Sequence, residues 1–393
     1  MLNRIKALPL RVRHTFYYDI KAAALFGIFG GCVLPFIAII GRKIGATELQ
    51  ISLLTAAPYI ATAFAVFWTA DILGKGRVWY VVWPNVVGRG VFFAMFFITT
   101  PFPYTLLIFV FMVITAIPFP SYASVMKTNY PDKERGGLMG YVRVGSASFW
   151  ILSSIAAGLI LEKSTYNYRY IFPAAAVFGI LSALEFGRIK VRLEKRQKER
   201  LATISHLTAP LKNRGFLKFI IIYSIFEFGF LLWLPLYPLI LVDKVHISNI
   251  TAGVFGALYS GMWLAGFFFW GRFLDRHSLS NCLKLFFAVA SFIPLIYLLT
   301  YNIWFLAIAQ CIAGITFAAI ELIGYIVITR MSHHKETPRY MAVHVVFGGV
   351  RGATAPFLGP VIMNYFGAGT ATAISLSFIL TAFFTTSLLK KGN

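Results

Sequence analysis

The sequence predicts an all-α membrane protein with about twelve transmembrane helices in two six-helix bundles. Three observations lead there. Hydrophobic residues make up 59% of the chain and charged residues only 13%, with 17% aromatic; a water-soluble fold cannot hide that much apolar surface. The charges come in short clusters between uncharged runs of about 20 residues, the length that crosses a hydrocarbon core at about 1.5 Å per residue. A pair of charged turns also recurs at one offset. Asp71 and Asp275 are 204 positions apart, and the same offset joins Asp132-Lys133-Glu134-Arg135 to Glu336-Thr337-Pro338-Arg339, acid then base three residues on. A repeated offset of this kind marks a duplicated half-molecule.

Taken in order, the first span is expected over about 17–40, the second over 48–70 and the third over 78–99, closed by Thr100-Pro101-Phe102-Pro103. The fourth covers about 104–126, with Pro118 and Pro120 in one half; the fifth about 136–161 and the sixth about 168–187. Arg188 to Lys218 is the long hydrophilic segment. Its basic run reads as a solvated linker between halves, here 188–216, and secondarily as a patch for lipid headgroups. The domains are therefore 1–187 and 217–393. The second half places spans at about 217–241, 249–270, 282–300, 303–329, 339–364 and 368–389. Small residues concentrate in some spans, such as Gly27, Gly30 and Gly31, or Gly348, Gly349 and Gly352. They let helices approach closely. Gly359-Pro360 is expected to kink the eleventh span.

The net charge of +22 suggests nucleic acid until its distribution is read. With the chain starting inside the cell, Arg4 to Arg13, Lys75, Arg77, Lys127, Arg135, the linker, Arg272, Arg276, Arg330, Arg339 and Lys390 all fall on the inner face. Arg42, Lys43, Lys163, Arg169 and Lys244 fall outside. This is the positive-inside pattern, with both termini cytoplasmic and a bacterial inner (plasma) membrane as the expected location. The charge belongs to orientation and anionic lipids, not to a phosphate backbone. Cys32, Cys282 and Cys311 have neither metal spacing nor a disulfide framework. No Walker motif, metal cluster or nucleophile–base pair points to an enzyme or a cofactor. Arg4 to Arg13 leads into a span without a small-residue cleavage site, so the first helix is expected to act as its own targeting signal.

Charge inside a span is costly and usually faces a cavity or a partner. Counted from the inner ends, Glu227 lies about 15 Å into span 7, Glu321 about 13 Å into span 10 and Arg351 about 18 Å into span 11. Arg89 lies about 17 Å into span 3 and Arg143 about 10 Å into span 5, while Asp19 and Lys21 read as shallow. Desolvation favours a neutral acid and a neighbouring arginine its ionised form, so a buried carboxyl can take a proton in one setting and release it in another. Glu227 and Glu321 are the expected proton carriers. Arg351, Arg89, Tyr223, Trp233, Tyr237 and Gln310 are the expected substrate contacts; Tyr223 stands one turn before Glu227 on the same face. Arg143 reads as structural and His344 as local.

The turn Gly271-Arg272-Phe273-Leu274-Asp275-Arg276-His277 resembles the loop signature of the major facilitator superfamily, Gly-x-x-x-Asp-Arg-x-Gly-Arg/Lys. Gly271, Asp275 and Arg276 match, while Ser278 and Leu279 depart from it. Asp71, Gly74 and Lys75 form a weaker copy, with Phe67 and Ile72 in place of the leading Gly and the Arg. The resemblance implies a secondary transporter in which spans 1, 4, 7 and 10 line a cavity, 2, 5, 8 and 11 flank it and the rest pack outside. It also implies a conformational latch at Asp71, Asp275 and Arg276. Drug antiporters of the family often carry Gly-Pro late in the fifth helix; here Ala156-Ala157-Gly158 holds that place.

Together these readings give a proton-coupled secondary transporter, a symporter working by alternating access. Its partners are a small-molecule substrate, protons and membrane lipids, and a monomer is expected. Efflux of amphipathic compounds or lipid flipping is a second reading. A non-transporting receptor or assembly factor on the same fold is a third.

Overall fold

The computed structural model describes residues 8–72, 78–191, 209–332 and 336–388, without the side chains of 63–72, 119, 120, 123, 132, 133 and 338. Among the described residues the chain is helical with no strand, in twelve successive spans. Among the described residues nine helices are long and apolar enough to cross a membrane, and the last of them holds two spans. Span 1 is Leu10–Val33, continued as Ile37–Lys43. It begins about two turns earlier than expected. It breaks at Pro35, which has no N–H to donate. Gly45, at φ +98°, turns the chain where other residues are strained. A reciprocal cap then starts span 2, Glu48–Ile72: Thr47 N–H donates to Gln50 Oε1 (2.9 Å) and Gln50 N–H to Thr47 Oγ1 (3.3 Å).

Span 3 is Trp79–Gly90, tightened into a 3₁₀ turn over Val91–Phe97. Span 4 is divided, Pro101–Ala116 and Phe119–Asn129, with Pro118 at the division. Spans 5 and 6 are Asp132–Lys163 and Tyr168–Gly187. Span 7, Arg214–Asp243, is capped by Asn213, whose side chain accepts from Gly215 N (3.0 Å) and Phe216 N (3.1 Å). Spans 8, 9 and 10 are Asn249–Arg276, Leu279–Leu299 and Ile303–Met331. Thr337–Thr385 is one continuous element in which Gly367 alone leaves helical geometry, at φ +87°, so spans 11 and 12 meet there. Pro356 and Pro360 lie within the helical stretch before it. Gly74, Lys75 and the linker's basic run from Arg192 lie outside the described residues.

Contacts divide the chain into two compact units. Unit 1 is Met1–Gly45, Phe64–Arg200 and Ser248–Ala257; unit 2 is Ala46–Ala63, Leu201–Ile247 and Leu258–Asn393. The opening stretch of span 2 thus belongs to unit 2 and that of span 8 to unit 1.

In unit 1, spans 1 and 5 run side by side. A Cβ on Gly27, Gly30 or Gly31 would come within 2.2–2.4 Å of Ser146 O, the Trp150 ring or Ser153 Oγ. Here the small residues serve close packing. Residues 248–257 dock on span 5: Ser154 Oγ donates to Gly253 O (2.8 Å), Asn249 Nδ2 to Leu161 O (2.8 Å), and Ile250 N–H to Glu162 Oε2 (2.9 Å).

In unit 2, spans 7 and 11 run alongside each other as a ladder. Phe216 meets Tyr340 (ring centroids 4.5 Å apart), Tyr223 meets His344 (5.3 Å), and Gly359 lies against the Leu232 carbonyl. Glu227 and Arg351 form the rung between the last two.

Candidate functional site

Among the described residues four charged side chains are buried: Asp19 and Arg89 in unit 1, Glu227 and Arg351 in unit 2. Glu227 is 7% exposed and Arg351 6%. The Arg351 guanidinium donates from Nη2 to Glu227 Oε2 and from Nη1 to Ser224 Oγ; its Nε finds no acceptor. Ser224 precedes Glu227 by three residues, so span 7 presents both on one face. Tyr223, one turn before Glu227, is also buried and packs against His344. His344 and Arg351 are seven residues apart on span 11, two turns of one face. The His344 Nδ1 is buried without a partner, and Nε2 would lie 3.1 Å from a Cβ at Gly324 on span 10. From span 2, Tyr59 packs over Gly352, close enough to Glu227 and Tyr223 to interact electrostatically.

The sequence places Tyr223 and Glu227 on one face of span 7 and Arg351 separately on span 11, and the fold brings Arg351 to Glu227. Ser224, Tyr59 and His344 were not anticipated as members of the site. Ser224 was open to discovery as the neighbour of Glu227 at helical spacing; Tyr59 lies too far away in sequence to signal anything.

Unit 1 holds a second polar cluster. Asp19, nine residues into the helix that begins at Leu10, is 2% exposed. Tyr130 donates its hydroxyl to Asp19 Oδ2 (2.8 Å), and the Tyr122 hydroxyl reaches the same carboxyl. Arg143, on span 5, interacts electrostatically with Tyr122. Beside them Asn129 donates to Thr15 Oγ1 (3.0 Å) and accepts from Arg11 (2.8 Å). The 204-residue offset carries Glu227 to Ala23 and Arg351 to Ala147. The acid and the arginine of unit 1 stand four residues before those alanines, so each half carries an acid on its first helix and an arginine on its fifth, one turn out of step.

A family model described as Major Facilitator Superfamily matches residues 22–300 and 220–390. The chain belongs to the Major Facilitator Superfamily. None of the curated proteins matches the sequence. Solved structures of superfamily transporters share the fold. A mutant of the nucleoside transporter NupG aligns over 96% of this chain and 99% of its own, with a TM-score of 0.76 and 12% identity. A bacterial homologue of the human lysosomal transporter Spinster, inward-facing and unoccupied, aligns over 98% of both chains, with a TM-score of 0.68 and 13% identity.

The other expected residues are distributed over both units. Glu321 on span 10 is exposed within its unit and accepts from Trp263 Nε1 (3.0 Å). Trp233 and Tyr237 gather around Tyr297 of span 9, with centroids at 4.8 and 6.2 Å, and Gln310 donates to the Tyr297 hydroxyl (3.3 Å). These three lie further along the bundle than the Glu227 pair; Trp233 is about 9 Å beyond Glu227 along its helix. Arg89 donates to the Gly179 carbonyl and lies over the Phe26 and Phe29 rings, at 5.1 and 5.6 Å. Those partners hold it to spans 1 and 6 of its own unit. In the superfamily loop signature, Asp275 and Arg276 are exposed at the end of span 8, and Arg330 ties that end to span 10 through the Leu274 carbonyl (2.6 Å). The backbone of Asp71 lies in span 2; its side chain is outside the described residues.

Proposed function

We propose that this chain moves a small solute across the membrane by alternating access, driven by a proton gradient. Membership of a superfamily of secondary transporters supports transport as such. The observation that carries the coupling is the Glu227–Arg351 pair, an ionisable acid held by an arginine deep between spans 7 and 11. A buried pair of this kind costs more to desolvate than a packed hydrophobic contact, so its presence asks for a use beyond stability. Glu227 is the proton carrier and Arg351 the charge that sets when the proton is held. Glu321, less enclosed, is a second carrier, and Tyr223 lines the site beside Glu227. The halves 1–187 and 217–393, joined by the linker, move during the cycle, and Asp71, Asp275 and Arg276 hold one closed state. The chain sits in a bacterial inner membrane with both termini in the cytoplasm.

The similarity of fold to a nucleoside transporter and to a Spinster homologue supports an organic solute. Uptake of labelled solutes into proteoliposomes under an imposed pH gradient tests the reading. Glu227→Gln is expected to abolish gradient-driven accumulation and to keep counterflow exchange. Unchanged accumulation by that variant refutes proton coupling through Glu227.

A further inference from the structure

The donors around Arg351 say what kind of solute could displace Glu227. The guanidinium has five N–H groups in a fixed fork and cannot lose its charge. In this structure one nitrogen serves Glu227, one serves Ser224 and Nε has no acceptor. The ionisable groups facing the pair are Tyr223 on span 7, His344 on span 11 and Tyr59 on span 2, with Tyr259 on span 8 next out toward Tyr59 and Glu321. Among these groups Glu227 is the carboxylate that compensates Arg351.

Two events can open the pair. A cationic solute could claim the carboxylate, but it would leave Arg351 bare beside a second positive charge. A proton on Glu227 frees Arg351 instead and leaves one buried positive charge, surrounded by hydroxyls able to donate. A buried charge without a counter-charge is costly, and an incoming carboxylate removes that cost. It also matches the planar fork and gives Nε the acceptor it lacks.

We propose that the solute is a small organic anion with a single carboxylate, which takes Arg351 over from Glu227 as Glu227 takes up a proton. This inference rests on the transporter reading above and narrows it to a substrate class and an electroneutral exchange of partners. One proton then enters with each anion, and anion affinity must rise as pH falls.

Binding to the purified full-length protein tests it, with matched probes: nicotinate against nicotinamide, benzoate against benzamide and glucuronate against glucose. In the wild type, at least one carboxylate is expected to bind while its neutral partner does not. Its Kd should weaken about tenfold per pH unit on the alkaline side of the transition, as one linked proton requires. Glu227→Gln, which mimics the protonated acid, should bind that carboxylate at every pH with the affinity the wild type reaches only in acid. The double variant Glu227→Gln/Arg351→Gln, free of uncompensated charge, should fold and lose the preference for the anion. Binding by no carboxylate, equal binding of the neutral partner, or wild-type pH dependence in Glu227→Gln overturns the inference. Proton-driven uptake of a neutral or cationic solute that still requires Glu227 overturns it too, while leaving the transporter reading intact. Absence of any Glu227-dependent flux in the wild type overturns that reading itself.

Discussion

Tyr59 occupies the space where Gly352 would carry a side chain. A Cβ at position 352 would lie 2.1 Å from the tyrosine Cβ and 2.6 Å from its Cγ. Gly352 follows Arg351 directly, so the glycine that admits span 2 also fixes the approach to the buried pair. Helix propensity alone would favour alanine there by about 1 kcal/mol. The overlap outweighs it, because forcing atoms into a filled contact costs about 1–3 kcal/mol. Gly352→Ala is therefore expected to lower the thermal unfolding temperature in detergent. Gly348→Ala, whose nearest neighbour would be Arg351 Nη2 at 3.8 Å, should leave it unchanged or raise it. Equal effects at the two glycines would refute the close contact.

The pair itself predicts strong non-additivity. Arg351→Met alone leaves a buried carboxyl without its cation, and Glu227→Leu alone leaves a buried guanidinium without its anion. Each single change is expected to cost about 3–5 kcal/mol. The double change removes both charges from a low-dielectric site and should recover most of that loss, while abolishing pH-driven accumulation. Denaturation of the four proteins in one detergent measures the coupling. Additive losses would show that the two groups do not interact.

Much of this was legible in the sequence. Glu227 and Arg351 stood out because a charge in an apolar run is conspicuous, and the repeat was visible in its charged turns. Their meeting was not legible. It depends on the register of spans 7 and 11, whose residues lie 124 positions apart, and periodicity within one helix carries no information about that register. The start of span 1 differs from the expectation for a local reason. Counted from the first long apolar run, span 1 starts near 17, whereas the helix begins at Leu10, so Arg11 and Arg13 before the run are helical too. Gln310 and Trp233 read as polar and aromatic candidates, and the structure engages both with Tyr297, a partner on a different span.

Asp19 gives the third prediction. Its carboxyl accepts from Tyr130 and Tyr122, tying span 1 to the end of span 4. Asp19→Ala strands two phenol hydroxyls in a buried place, each of which costs about 1–3 kcal/mol when left without an acceptor. Asp19→Ala is thus expected to destabilise the protein more than Tyr130→Phe, which removes one donor and leaves the Tyr122 bond. Combined with Tyr130→Phe, Asp19→Ala should cost less than the sum of the two. Thermal unfolding of the three variants reads the order, and a larger loss from Tyr130→Phe would overturn it.

Glu162 gives the last. The first turn of a helix leaves amides with no partner inside the helix, and span 8 resolves this with groups from span 5. Glu162 Oε2 accepts from Ile250 N–H (2.9 Å), while Asn249 is held by Leu161 O, by Thr165 Oγ1 (3.2 Å) and by Lys43 Nζ (2.8 Å). The Ser248 hydroxyl separately accepts from Thr251 N–H (3.1 Å). A carboxylate at a helix N-terminus contributes both a cap and a favourable charge, together about 1–2 kcal/mol, equivalent to a factor of roughly 5–30 in local opening. Glu162→Ala should therefore speed hydrogen exchange of the Ile250 amide by that factor. The Thr251 amide, held from within its own turn, should change less, and amides of the same helix beyond Ala257 should not change at all. Uniform acceleration along span 8 would mean that Glu162 supports the whole helix, whereas no change at Ile250 would mean that the carboxylate does not hold this end.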